Sequence, residues 1–449
     1  MSISARHTFR CLTAVWLCAG LLLLAGCSTH ADRLRQIRTA YYSGDLDRAT
    51  ALIGKETKKR KGEGGVLQLE QAMVDLALGR PAEAERTLRI VRDRFDDLEQ
   101  KDLGEAFLST LSDDTKRAYS GEDYEKILIR CFLALSNLMH DGSDAGAYAL
   151  QVGDKQRQIM NAGADPAGTN PKLSYRRVAF GAYLHAALQE GTHLNYDEAA
   201  RSIQLVANWE PDFAPARRDL ERLTSGRHSE PGHGVLYVIT LVGRGPFKEE
   251  RAEPASSAAL LIADRILSVT GKHSLPPTIA PVKIPVIIRS RNPADSVVVE
   301  ADDRKLGQTE TITDISRMAV EQHEAVMPQI MARAVVRRVV KKGSVYAAKE
   351  AAKVSHPAAE MALDLAGVAW EATEAADTRC WGLLPDRIQV LRVELPAGTH
   401  KLRLTPASGN RPAGETAHET VTIEDGRNTF IMATFPDTKL VGQVLSHTP

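Results

Sequence analysis

Val235-Leu236-Tyr237-Val238-Ile239-Thr240-Leu241-Val242 divides this chain into two parts of different character. Eight consecutive β-branched, aromatic and aliphatic residues read as a buried strand, rich in strand formers and too short for a helix in this context. From Ala31 to about Leu223 nothing reads convincingly as strand. After Val235, strand patterns recur to the end. The expected fold is therefore α+β and multidomain: an all-α helical repeat over 31–224, a polar linker over 225–234, and a β-rich domain over 235–449.

Working back from the dividing strand, apolar residues follow helical spacing in pairs of segments. Leu34, Ile37 and Tyr41 form one face, and Leu46, Ala49, Leu52 and Ile53 the next, joined through Ser43-Gly44-Asp45. Gly44 frees the backbone and Asp45 can cap the following helix. The design returns as Leu69, Ala72, Met73 and Leu76, then Gly79-Arg80-Pro81, then Ala84 and Leu88. The 35-residue step from Gly44 to Gly79 is close to the roughly 34-residue tetratricopeptide period. A third pair spans Tyr124–Met139 and Ala145–Val152, and a fourth spans Tyr175–Leu188 and Asp197–Val206. These pairs resemble degenerate tetratricopeptide repeats, which expose a continuous concave face to a partner; an irregular bundle without a groove is the alternative. Gly121-Glu122-Asp123 reads as a helix start, where acids suit the positive end of the dipole. An acidic cluster of Asp113, Asp114, Glu122, Asp123 and Glu125 with Tyr119 and Tyr124, binding a cation or a basic partner, is the other reading.

Working forward, Gly243-Arg244-Gly245-Pro246-Phe247-Lys248 reads as a β-turn; it lacks the spacing of a phosphate loop. A helix over Ser256–Val269, a strand over Pro281–Arg289 with Pro285 marking an edge, and strands over Asp295–Thr309 follow. Ile388–Leu395, Lys401–Leu404 and a closing hairpin of Thr420–Ile423 with Thr429–Ala433 complete a module resembling a small β-sandwich. A helical hairpin is expected as an insertion at about 316–376, with arms at Pro328–Lys342 and Ala347–Ala376. Arg333, Arg337, Arg338, Lys341 and Lys342 make its first arm basic. It can rest on anionic lipid or a phosphate-bearing glycan, or bury one side while its arginines reach for water.

The N-terminus sets the address. Arg6 and Arg10 precede an apolar run, Cys11–Leu24, that closes on small residues. This is the plan of a secretory signal, and the run is too short for a spanning helix. Leu24-Ala25-Gly26-Cys27 resembles a bacterial lipobox, which implies cleavage of 1–26 and acylation of Cys27, with 27–30 as the tether. An ordinary signal with a chance cysteine is the alternative. Each buried CH₂ contributes about 0.8 kcal/mol, so several acyl chains hold firmly where one does not. Ser28 is not the Asp that marks retention in the inner membrane, so the expected place is the outer membrane, facing the periplasm.

Composition narrows the function. The chain has 449 residues with 57 basic and 57 acidic side chains, and removal of Arg6 and Arg10 leaves a slight acidic excess. Such balance argues against nucleic acid as a partner. Of five cysteines, two leave with the signal and Cys27 carries lipid. Cys131 and Cys380 remain, read as separate thiols because their segments differ in character, with a disulfide permitted by the periplasm as the alternative; they are too few for a metal site. No zincin, nucleophile-elbow or P-loop motif is present. No catalytic, cofactor-binding or metal residue is assigned, and lipidation at Cys27 is the one site.

Asp123-Tyr124-Glu125-Lys126 within Tyr119–Met139, and Asp377-Thr378-Arg379-Cys380-Trp381-Gly382-Leu383-Leu384-Pro385, resemble a family of bacterial lipoproteins with tetratricopeptide-like N-terminal repeats and no assigned activity. The resulting expectation is a non-enzymatic interaction scaffold in envelope assembly or cell-wall synthesis, held to the membrane through Cys27 and working on an envelope protein partner. A peptidoglycan- or glycan-binding protein acting through the C-terminal module is the alternative, and an enzyme with an unrecognised site a third. The two halves are expected to fold separately, with partner binding in the repeats.

Overall fold

The computed structural model describes residues 30–59, 64–104, 118–163, 170–270, 275–276, 279–351 and 375–449. The chain is mixed α+β, helical in its N-terminal half and sheet-bearing in its C-terminal region. Helices α1 (His30–Ser43), α2 (Leu46–Lys59), α3 (Gly64–Ala77), α4 (Pro81–Gly104), α5 (Asp123–Leu138), α6 (Ala145–Asn161), α7 (Phe180–Glu190), α8 (Tyr196–Trp209) and α9 (Pro215–Thr224) each pack on their sequence neighbours. The turns after α1 and α3 need positive φ, and Gly44 (+83°) and Gly79 (+74°) supply it without steric cost. Helix α5 is buried on every side along most of its length. It lies between neighbours, as its all-round hydrophobicity requires.

The dividing stretch becomes β1 (His233–Arg244), followed by β2 (Phe247–Glu253), α10 (Ser257–Thr270), β3 (Val282–Ile288), β4 (Ser296–Ala301), β5 (Arg304–Gln308) and β6 (Glu310–Asp314). Next come α11 (Ile315–Ala351), β7 (Pro385–Pro396), β8 (Gly398–Ser408), β9 (Arg411–Pro412), β10 (Ala417–Ile423), β11 (Asn428–Phe435) and β12 (Leu445–His447). One sheet has the order β12-β11-β1-β7-β6, with β1 and β11 parallel. A second has the order β10-β8-β4-β5, with β9 on β8, and β2 and β3 form a separate ribbon.

Strand β1 is buried on both faces, and the period of two sorts its side chains. Tyr237, Ile239 and Leu241 belong to a core that also contains Leu34, Met73, Phe132 and Tyr183 of the helices. Leu236, Val238 and Val242 belong to a second core with Val297, Leu402 and Val421 of the other sheet. β11 repeats this division: Phe430 and Met432 face the helices, and Ile431, Ala433 and Phe435 face the second sheet. The layers are therefore helices, sheet, sheet. The apolar face of the helical array is covered by the chain's own strands.

Two local expectations are corrected. Thr420–Ile423 and Thr429–Ala433 are not a hairpin, because β10 pairs with β8 while β11 pairs with β1 and β12. The start of β1 captures the turn between them: Gly426 N donates to His233 O at 2.9 Å and Val235 N to Arg427 O at 2.9 Å. That capture carries the chain from one sheet to the other. The first arm of the inserted pair is a helix that begins at Ile315 and passes through Pro328 to Ala351. Its apolar side packs with α10 and β3 in a small third core holding Ala263, Val282, Ile284, Val335 and Val336. Residues 352–374 of the expected second arm lie outside the described residues. Cys131 and Cys380 are free, buried thiols.

Because the helices and the first sheet share one core, residues 30–224 expressed alone are expected to bind the dye ANS and self-associate while keeping a helical spectrum. A monomeric fragment that melts cooperatively and binds no ANS would show that the helices do not depend on the sheet.

Candidate functional site

Residues 375–384 carry the chain into β7 by crossing the helical half, and two buried glutamates hold this connector. Glu70 of α3 accepts from Gly382 N at 2.6 Å and from Leu383 N at 2.8 Å. Glu125 of α5 accepts from Trp381 N at 2.6 Å. Three successive N–H groups are thus satisfied by carboxylates. Glu125 also accepts from Tyr119 Oη at 2.5 Å, from Tyr124 Oη at 3.3 Å and from Glu122 N at 3.1 Å, the last completing a capping box. Trp381 is wholly buried, its ring 5.3 Å from that of Phe132.

Burial pushes the Glu70 carboxyl up to about 7, against Arg38 and the two N–H donors. Burial, aided by Glu122, likewise raises Glu125 to about 7, against Tyr119, Trp381 N–H and Lys248. The Cys380 thiol beside them is raised by burial to about 11.

The connector forms a wall shared by two cavities. One, of about 400 Å³, lies between the start of α5, the β2–β3 ribbon, α11 and residues 376–379. Lys172, Lys248, Lys283, Arg333, Arg337 and Arg379 line it, with Glu122, Asp123 and Asp377 as the carboxylates. Lys248 is buried and paired with Glu122. Burial works against its charge, but Glu122 and Asp377 hold it above the ordinary lysine value. Burial works against Asp123 as well, but Lys172, at 2.7 Å, and Lys126 keep it below the usual carboxylate range. Arg379 holds Asp377 at 2.7 Å. The second cavity, of about 420 Å³, lies on the Gly382 side against α1 and the β1–β2 turn.

The residues singled out from sequence fall as follows. Cys27 lies outside the described residues, as do Asp113 and Asp114. Arg333 and Arg337 reach the first cavity, whereas Arg338 donates to Ala280 O at 2.9 Å and Pro281 O at 2.6 Å. The side chains of Lys341 and Lys342 are not among those described. Glu122 starts α5 as its cap, and Asp123 bonds Tyr175 Oη at 3.1 Å as well as Lys172. The sequence pattern marks Glu125 only as one acid of a cluster near a helix start and does not single out Glu70. The available signal was Glu70 itself, an acid set among Val66, Leu67, Leu69 and Met73 on a helix.

Among the described residues no group of three or more His, Cys, Asp and Glu is placed to hold a metal ion, and no helix is long and apolar enough to cross a membrane. The chain matches no family model, no curated protein and no solved structure.

The two raised carboxyls fix the sign of a pH effect. The native chain keeps protons on Glu70 and Glu125 up to about pH 7, while the unfolded chain releases them near 4.5. Their contribution to stability therefore falls as pH rises through that window. The melting temperature is expected to fall between pH 5 and pH 8, with a shallower dependence in Glu70→Gln. That variant cannot accept both N–H bonds and should lose about 1–3 kcal/mol at pH 5. Equal slopes for the two proteins would exclude Glu70 as the titrating group.

Proposed function

We propose that this chain is an outer-membrane-anchored periplasmic lipoprotein that acts as a non-enzymatic protein-interaction scaffold in cell-envelope assembly or cell-wall synthesis. The observation that carries the reading is the lipobox-like Leu24-Ala25-Gly26-Cys27, with α1 starting only three residues later. In this reading the helix pairs are degenerate tetratricopeptide units and the two facing sheets a β-sandwich. The covered apolar face of the helices directs attention away from a groove in the repeats. The cavity beside α11 offers a charged surface instead, with six cationic and three anionic side chains in its lining. Acidic segments of an envelope partner complement it, and charge complementarity of this kind favours encounter and register.

Two results are expected. Cys27→Ser should abolish acyl-chain labelling and leave the signal uncleaved at that position; unlabelled wild-type protein recovered in a periplasmic wash would end the lipoprotein reading. A photo-crosslinker placed at Gln329, in the same lining, should capture a protein partner that persists after lysozyme digestion of the wall, and adding Arg333→Glu should remove that partner. Adducts that disappear with the wall would favour glycan instead.

A further inference from the structure

The cavity on the Gly382 side differs from its neighbour in one respect. Among the described residues its lining contains three arginines, Arg35, Arg38 and Arg244, and no carboxylate. Two of the three guanidinium groups lie over aromatic rings of the same lining. Arg38 Cζ stands 4.9 Å from the Phe247 centroid and Arg244 Cζ 4.7 Å from that of Tyr42. Such stacking holds a guanidinium plane in place and leaves its edge donors for a ligand. Arg244 gives one edge to Asp437 at 2.6 Å. Arg38 has a long contact to Cys380 Sγ at 3.9 Å, and its shielded Nε finds no hydrogen-bond acceptor among the described residues. Arg38 also acts electrostatically on Glu70, whose two oxygens are already engaged by Gly382 and Leu383.

The remaining groups refine the chemistry. Thr39, Ser43 and Ser290 each donate their hydroxyl proton to a backbone carbonyl, of Arg35, Ala40 and Gly245 respectively. They retain oxygen lone pairs and accept rather than donate. Gly245 approaches Leu384 so closely that a Cβ would stand 2.4 Å from its carbonyl oxygen, which keeps that wall free of side chain. Fork-shaped cationic donors suit a group with several anionic oxygens, and hydroxyl acceptors suit the alcohols attached to it.

We propose that this cavity binds the phosphate group of a polyol phosphate ester. Arg38 and Arg244 hold the phosphate oxygens, Arg35 guards the rim, and the hydroxyl oxygens receive the polyol. Two sources share this chemistry, a glycerophosphate lipid headgroup and a free polyol phosphate. Arg35 and Arg38 stand eight and eleven residues after Cys27. A helix rises about 1.5 Å per residue, so the arginines lie within roughly 25 Å of the acyl site, near a bilayer surface if the tether proposed above is correct. The membrane source rests on that tether; the phosphate chemistry does not.

The test is calorimetric titration of the full-length chain in uncharged detergent micelles, first with glycerol 3-phosphate and then by doping the micelles with phosphatidylglycerol. Succinate serves as the dicarboxylate control. Binding in either arm, about tenfold weaker in Arg38→Gln and in Arg244→Gln, is the expected result, because each change removes charge-assisted donors. Binding of both ligands, or of one alone, supports the site and identifies the source. Thr39→Glu, at an exposed position, places a carboxylate in the opening and should also abolish binding; an unchanged melting curve confirms its fold if either arginine variant fails to fold. No binding in either arm, equal binding of succinate, or wild-type binding in Thr39→Glu overturns the proposal. An unlipidated Cys27 with intact glycerol 3-phosphate binding would remove the tether and leave the phosphate site standing.

Discussion

Three consecutive backbone N–H groups, of Trp381, Gly382 and Leu383, end on two carboxylates that water cannot reach. A loop crossing a protein interior has to satisfy its backbone, and most loops avoid the problem by staying at the surface. This one is buried because Glu70 and Glu125 replace the water. The arrangement is costly on both sides: the carboxyls lose hydration, which shows in their raised pKa, and the loop loses conformational freedom. What it secures is position. Trp381 is set against Phe132 and Leu383 joins the helical core, so strand β7 enters the sheet at a fixed point relative to α3 and α5.

A second buried charged group acts at the far end of the same interface. Glu190 of α7 meets Arg392 of β7 at 2.8 Å, Tyr237 Oη of β1 at 3.1 Å and Arg222 of α9, which also holds Asp219 at 3.1 Å. Around this cluster the contact is aromatic, with the rings of Tyr183 and Phe430 both packed against Tyr237. Removing one partner from a buried pair strands the other, so the polar groups discriminate against shifted alignments more than they add net stability. The pairing of β1 with β11 adds a further constraint, since it joins residues nearly two hundred positions apart. Closure of the sheet therefore waits for the last part of the chain.

What was legible in the sequence follows physical range. The change of period at Val235 and the glycine turns at Gly44 and Gly79 are local properties, and the structure places strand and positive φ at those points. The misread hairpin at Thr420–Ala433 looked local but was decided by its capture against His233 and Val235, far away in sequence. Pro328 looked like a helix start because proline favours the first turn, yet packing on α10 and β3 carries α11 through it. Glu70 and Glu125 could be noticed only as acids in apolar company. Their partners are backbone amides more than 250 residues downstream, and no side-chain pattern encodes those. Both cavities share this invisibility, because each is walled by segments from both halves of the chain.

The two cavities use positive charge differently. Around α11 the lysines and arginines are interleaved with acids, and the buried member, Lys248, keeps its proton because Glu122 and Asp377 stand beside it. Those cations complete the structure before any partner arrives. Lys283 is paired in turn with Glu250 at 3.1 Å, and at physiological salt a field from half-exposed groups decays within about 8 Å. On the Gly382 side two guanidiniums, of Arg38 and Arg244, are supported by aromatic faces, and Arg244 gives one edge to Asp437 as well. The connector separates these two regimes and is itself anchored by two buried acids that line neither cavity among the described residues. Shifting it by a residue would bring Glu70 or Glu125 out of register with its N–H donors, so the grip on Trp381, Gly382 and Leu383 also fixes where the connector meets each cavity.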